Sequence, residues 1–255
     1  MTRKSHPALP SFGKSLSTLV GLTLAAAVFA APAQAATITF EGGAGAAYGS
    51  GASYTESGYQ FGFWSPWDTT DTGDGTLVGV NIDGTDRSWC ESMACPTGNS
   101  GAYYGAMNDS SVSIFNESGN PFQLQGFDAS FIGYNPELNS YMDTVGLVLV
   151  LGLTAAGDIL QEQFWLNGPG ATGFEFQSFA TSALAGQSFV EMLMIGYACG
   201  NDLRCVAEEN NRAQFAIDNL VLVADGAAEV PEPATGLLLG IGLMGLLARA
   251  RRRTA

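Results

Sequence analysis

The side chains available for chemistry in the central part of this chain are carboxylates, thiols and aromatic rings. The only histidine is His6, near the N-terminus. Residues 36–230 hold no lysine and three arginines, Arg87, Arg204 and Arg212. Histidine-based nucleophilic triads, His-ligated zinc, an imidazole base near neutral pH and Schiff-base lysines are therefore excluded from that body. Paired-carboxylate chemistry of the glycosidase kind stays open, because two Asp or Glu suffice for it. No motif selects two carboxylates from the many present, so no catalytic residue is assigned.

The same residues set the electrostatics. Three arginines against 23 Asp and Glu give residues 36–230 a net charge of −20. Nucleic acid is excluded as a partner, since neutralising phosphates takes clustered cations. Acidity of this size suits a soluble exported protein or one that takes up divalent cations. Asp68, Asp71 and Asp74 share a glycine-bearing loop, but they are spaced by three rather than two and lack a closing glutamate, so they read as a solvated acidic loop rather than an EF-hand.

The four cysteines fall as Cys90-x4-Cys95 and Cys199-x5-Cys205. Three pairings are open, and two local disulfides, Cys90–Cys95 and Cys199–Cys205, are preferred because each pair brackets a small loop. A zinc site is the alternative, although neither spacing is the two-residue knuckle. Among the indoles, Trp67 sits in a Pro- and Asp-rich loop and is the candidate for stacking on a sugar ring, whereas Trp64 closes an alternating strand and is expected in the core. Asn108-Asp109-Ser110 and Asn116-Glu117-Ser118 match the glycosylation sequon.

The elements that must position these groups read as strands. Thr37–Glu41, Tyr59–Trp64, Leu77–Ile82, Ser111–Phe115, Phe122–Phe131, Thr144–Thr154, Ile159–Leu166, Phe174–Phe179, Phe189–Tyr197 and Gln214–Val223 alternate or are rich in strand formers. Thr144–Thr154 is apolar on both faces and is expected to be a central strand. Residues 42–57 and 85–110 read as loops, and only Ser182–Gly186 and Ala207–Arg212 allow a helical turn. About ten short strands without a convincing helix predict an all-β fold, an antiparallel β-sandwich of the jelly-roll type. The runs are too short and irregular for an outer-membrane barrel.

Both ends of the chain differ from the body. Arg3, Lys4 and Lys14 precede the apolar run Leu16–Ala30, and Ala33-Gln34-Ala35 is an A-x-A site. Residues 1–35 thus read as a signal peptide cleaved before Ala36 by signal peptidase. Residues 36–225 form the predicted sandwich domain, and 226–255 carry a linker and a C-terminal signal. There, Pro231-Glu232-Pro233 is followed by an apolar run and then by Arg249, Arg251, Arg252 and Arg253. As a helix, Ala234–Ala248 is about 22 Å long, short of the ~30 Å hydrocarbon core, and the arginines hold its end on the cytoplasmic side.

This order of Pro-Glu-Pro, short apolar run and arginine cluster resembles the PEP-CTERM sorting signal of exopolysaccharide-producing Gram-negative bacteria. The resemblance implies that Pro231, Glu232 and Pro233 are the motif recognised by exosortase, that the apolar run is a transient inner-membrane anchor, and that Arg249, Arg251, Arg252 and Arg253 stop transfer. The end of the body, Gln214-Phe215-x-x-Asp218, resembles the Gln-Phe-x-x-Asp group of these proteins. More loosely, Glu41 and Asp218 resemble the early acidic residue and late Asp of secreted jelly-roll carbohydrate modules, which implies a structural Ca²⁺ between them. Two juxtaposed carboxylates are stabilised by a hard cation. The implied role is that of a non-catalytic adhesion or polysaccharide-associated protein of the cell surface or biofilm matrix, with a secreted carbohydrate-active enzyme as the alternative.

Overall fold

The structure, a computed structural model, describes residues 35–65, 77–91, 93–134, 140–202, 204–207 and 211–225. The signal peptide, the sorting signal with its Pro-Glu-Pro and arginines, Trp67, and Asp68, Asp71 and Asp74 lie outside the described residues. Among the described residues no helix is long and apolar enough to cross a membrane.

Sixteen strands and two short 3-10 turns make up the described chain. The strands are β1 (Ala35–Ile38), β2 (Ala47–Gly49), β3 (Ser53–Glu56), β4 (Tyr59–Trp64), β5 (Leu77–Asp83), β6 (Met93–Ala94), β7 (Ala102–Ala106) and β8 (Ser111–Asn116). They continue as β9 (Phe122–Phe131), β10 (Gly133–Tyr134), β11 (Thr144–Leu153), β12 (Ile159–Asn167), β13 (Gln177–Ala180), β14 (Glu191–Cys199), β15 (Cys205–Val206) and β16 (Phe215–Ala224). The first sheet runs β13-β9-β16-β7-β5-β2, with β1 also on β16. The second runs β12-β11-β14-β8-β4-β3, with β15 on β14. Every strand pairing is antiparallel, and the chain crosses repeatedly from one sheet to the other. The fold is the expected antiparallel β-sandwich.

Alternation explains the packing. In β4, Tyr59, Phe61 and Phe63 are buried while Gln60, Gly62 and Trp64 point the other way. They meet Tyr104 and Ile217 of the first sheet in one apolar cluster that fills the space between the layers. Phe63 stacks on Tyr104 with ring centroids 4.4 Å apart. Gly79 is required there, since a Cβ at that position would collide with the Tyr104 ring and hydroxyl. A bulge in β16 between Asp218 and Val221, with Asn219 in the left-handed region at φ 51°, keeps Ile217, Leu220 and Leu222 all inward.

The first sheet is covered on its outer side as well. Val80, Ile82, Tyr103 and Ala216 lie in a second cluster with Cys90 and Cys95, against which Trp89, Met93 and Phe176 pack. Both preferred disulfides are formed, Cys90–Cys95 and Cys199–Cys205. The first is thus part of a lid over the sheet rather than a pin in an isolated loop.

Several expectations are corrected. The first strand ends at Ile38, because Phe40 takes a left-handed φ of 58° and Glu41–Gly43 forms a 3-10 turn. The region 42–57 contains β2 and β3, and 85–110 contains β7, which sits in the middle of its sheet. Of the predicted Phe174–Phe179 strand only Gln177, Ser178 and Phe179 fall in a strand, β13. Ser182–Gly186 is a bend-and-turn segment rather than a helical turn. Glu162 reaches it from β12, accepting the backbone N–H of Ser182 and of Leu184, each at 3.0 Å. β11, expected to be central, is an interior strand paired on both sides, with β12 and β14.

Candidate functional site

The expected carboxylates, 177 residues apart in sequence, come to one segment of chain. Glu41 Oε1 accepts the backbone N–H of Ala102 at 2.9 Å. A Cβ at Gly101 would collide with that oxygen, so glycine there lets the carboxylate approach. Asp218 Oδ2 accepts the Asn99 side-chain amide at 2.7 Å, and Asn99 Oδ1 accepts the Gly101 N–H at 2.8 Å. Glu41 and Asp218 therefore flank the segment Asn99 to Ala102. Asp218 Oδ1 also accepts the N–H of Asn219 at 2.7 Å, and Asn219 Nδ2 donates to Asp128 Oδ2 at 2.8 Å. Asp128 faces Asp218 across the β9–β16 pair.

This environment changes the acidity of Asp218. Burial pushes its carboxyl up to about 6, with the charges of Asp128 and Glu41 adding to the rise and the bonds from Asn219 and Asn99 opposing it. An acid whose folded pKa stands above its ordinary value binds more protons folded than unfolded, so its contribution to stability is complete below the ordinary value and is lost as pH rises through about 6. Carbon-detected NMR of the side-chain carboxyl, in calcium-free buffer, is expected to show Asp218 titrating near 6. Titration at the ordinary carboxylate value would contradict this environment.

Two further residues shape the site. Glu56, which sequence reasoning passed over, accepts the N–H groups of Thr39 and Phe40, both at 2.9 Å, and the Tyr54 hydroxyl at 2.8 Å. It thereby holds the left-handed corner that turns Glu41 toward Ala102. Asn81 is fully buried beside that corner, its Nδ2 donating to the Phe40 carbonyl at 3.4 Å. Asn81 Oδ1 has no hydrogen-bond partner among the described residues. A buried carbonyl oxygen left in this way is costly, and only an electrophile or donor offsets that cost. Among the described residues no three Asp, Glu, His or Cys converge as a metal-binding group.

A pocket of about 310 Å³ opens beside the two-stranded pair β6–β10. Its wall includes Tyr134, Tyr141, Asn211, Arg212 and Gln214. Tyr134 is 53% exposed. The Tyr141 ring packs edge-on against Phe174 and Phe131, and its hydroxyl oxygen accepts the N–H of Tyr134 at 2.8 Å. Gln214 Nε2 donates to the Asn211 carbonyl at 3.2 Å and to Asn211 Oδ1 at 3.1 Å. Behind them the buried carboxylate of Asp109 accepts the N–H groups of Asn211 and Ala213, both at 2.7 Å. The pocket wall thus sets aromatic rings beside phenol and amide groups.

Trp64 is not in the core: it is 55% exposed. Its companions on the same face of β4, Gln60 and Gly62, were the signal for this. Trp165, on the outward face of β12, is 45% exposed. Neither sequon is an open acceptor in simple form, for Asn108 Nδ2 donates to the Leu77 carbonyl at 2.6 Å and Asn116 Oδ1 closes a turn with Ser118 N–H at 3.0 Å.

Residues 229–253 match the PEP-CTERM protein-sorting motif. The motif implies export, membrane-anchored sorting and processing by exosortase. No curated protein matches the chain. Among solved structures, the chain is similar to TmCBM61 in complex with β-1,4-galactotriose, at 10% identity over 73% of this chain and 94% of that one, with a TM-score of 0.30. It is also similar to the enzymatically active domain of tailspike protein 4 from bacteriophage CBA120, at 14% identity, 66% and 20% coverage and a TM-score of 0.29. A third is the CBM22-1–GH10 portion of Clostridium thermocellum xylanase 10B with xylohexaose, at 10% identity, 75% and 29% coverage and a TM-score of 0.31. The chain spans about a fifth of the tailspike domain and under a third of the xylanase.

Proposed function

We propose that this protein is a non-catalytic module of the cell surface or extracellular matrix, delivered by an exosortase system and associated with polysaccharide in a biofilm setting. The observation that carries the reading is the sorting motif at 229–253, set behind an acidic, histidine-free and disulfide-closed β-sandwich. In this reading signal peptidase cleaves before Ala36, the C-terminal run holds the chain briefly in the inner membrane, and exosortase acts near Pro231-Glu232-Pro233. The body belongs with the Gln-Phe-x-x-Asp group. The wall of Tyr134, Tyr141 and Gln214 supports contact with a sugar, with the Tyr134 ring as the stacking surface.

A calcium ion fits the chemistry of the first site. Glu41 and Asp218 would supply carboxylate oxygens, which are hard donors. Bound there, the ion would hold the two ends of the body together and keep Asp218 ionised.

The test is retention of the protein from its host on a panel of immobilised polysaccharides, with and without calcium. Retention without turnover is expected, and Tyr134→Ala is expected to weaken it by about tenfold, on the order of 1.4 kcal/mol. Turnover abolished by a single carboxylate substitution would overturn the non-catalytic reading in favour of a carboxylate-dependent enzyme.

A further inference from the structure

Both exposed tryptophans of the described chain, Trp64 and Trp165, lie on the outward face of the second sheet. Their strand neighbours Phe63, Phe164 and Leu166 are buried between the layers, which assigns the indoles to the outside. Two indoles on one sheet face form an exposed apolar surface of the kind that marks a binding site. On the basis of the polysaccharide association proposed above, we infer that this face is a second glycan-binding surface, where the two rings stack on an extended, neutral polysaccharide.

Trp64 is held in the posture that stacking needs, because its neighbours on this face are glycines. A Cβ at Gly62 would stand 3.3 Å from Trp64 Nε1, and a Cβ at Gly51 would stand 3.7 Å from Cζ3 and 3.8 Å from Cη2. The five-membered ring thus sits low over one glycine and the six-membered ring low over the other. With both ends at the level of Cβ atoms, the indole lies along the sheet and turns a flat face to solvent. A side chain at either glycine would lift it.

The surface between the two indoles has the chemistry of a sugar ring, apolar in the middle and polar at the edges. Ser111 lies opposite Trp64, and its row continues through Ile195 and Leu149 to Gln163. The next row leads from Ser53 past Gly62 and Ser113 to Leu193, Leu151 and Gln161. Half-buried Leu and Ile suit the C–H faces of a pyranose, and uncharged hydroxyls and amides suit its hydroxyl rim. Charge selects the kind of polymer. On β3, β4, β8, β11, β12 and β14 the only charged outward residue is Glu191, at the rim, in a body with a net charge of −20. An anionic polymer or bilayer is repelled by the surrounding field, and a basic partner is drawn to the acidic surfaces instead. A neutral glycan meets neither effect. Trp64 and Trp165 stand four strands apart, roughly 19 Å at ~4.8 Å between strands, which gives room for several rings in a row. None of the residues lining the Tyr134 pocket belongs to this sheet, so the two surfaces are separable by substitution.

Retention of the protein from its host on immobilised glucan, xylan, galactan and mannan, with alginate as the anionic polymer, tests this. Retention is expected on at least one of the four neutral polymers and is expected to be insensitive to salt. Trp64→Ala and Trp165→Ala are each expected to weaken it by about tenfold or more, with denaturant midpoints close to that of the unsubstituted protein. Trp64→Tyr keeps a flat ring and is expected to retain most of the binding. Retention that survives both alanine substitutions but falls in Tyr134→Ala overturns this surface and leaves the polysaccharide reading standing. Retention on alginate alone, lost in salt, overturns the neutral ligand, and a Trp64→Tyr loss equal to that of Trp64→Ala overturns the stacking role. Failure of the unsubstituted protein to bind any of the polymers overturns the inference together with the reading it rests on.

Discussion

Replacing Pro231, Glu232 and Pro233 together by alanine is expected to leave the protein in the membrane fraction with its C-terminal tail attached, and to reduce the processed form more than tenfold. The physical reason is the backbone. Proline fixes φ near −65°, has no N–H to donate and pushes the residue before it into extended conformations. We propose that the pair around Glu232 keeps this stretch extended and open to a protease, outside the helix expected of the apolar run. Alanine is the best helix former, so the triple substitution is expected to favour helix across that stretch. Replacing the arginines at 249, 251, 252 and 253 is instead expected to disturb orientation, a different outcome on the same blot, since a cationic end as a rule stays on the cytoplasmic side. Normal processing of the triple alanine variant would remove the motif from the account.

The largest effect on folding is expected at Phe63. Its side chain is fully buried and meets Tyr104 of the opposite sheet with ring centroids 4.4 Å apart and Tyr48 at 4.7 Å. Phe63→Ala removes a ring that joins the two layers and is expected to cost about 3–5 kcal/mol, a large part of the ~5–15 kcal/mol that holds a domain folded. Trp64→Ala, one residue on, removes a larger side chain that is 55% exposed. It is expected to cost roughly 1 kcal/mol or less. Denaturant midpoints of the two variants check the contrast, and equal losses would contradict the assigned faces of β4.

That contrast also shows where the fold was legible. The bounds of β4 and β9 were readable because their residues alternate against a single core, and β16 was readable in all but its bulge. Trp64 was misplaced by weighing residue type over parity: in a strand whose odd positions are aromatic and buried, Gln60 and Gly62 put the even positions outside. The strand β7 was hidden for the opposite reason. Ala102-Tyr103-Tyr104-Gly105-Ala106 is buried on both faces, one by the inter-sheet core and one by the lid of Cys90, Cys95 and Trp89. A strand covered twice does not alternate, and its Gly and Ala weaken the strand signal further.

The candidate sites divide in the same way. Glu41 and Asp218 were named from a loose resemblance to secreted jelly-roll modules, and in the structure they bond to Ala102 and Asn99 of one segment. Glu56 and Asp109 were not found, since each acts on backbone N–H groups far away in sequence, at 17 and more than 100 residues. No local spacing encodes such contacts. The pocket by Tyr134 is likewise assembled from segments that become neighbours only when β10 and β16 are in place.

Intact-mass analysis of the protein from its native host tests the central claim most directly, namely that an acidic body is exported and trimmed at both ends. The account predicts a chain that begins at Ala36, ends close to Pro231-Glu232-Pro233, and is four hydrogens lighter than its reduced form because of the bonds Cys90–Cys95 and Cys199–Cys205. A chain running from Met1 to Ala255 with four free thiols would contradict it.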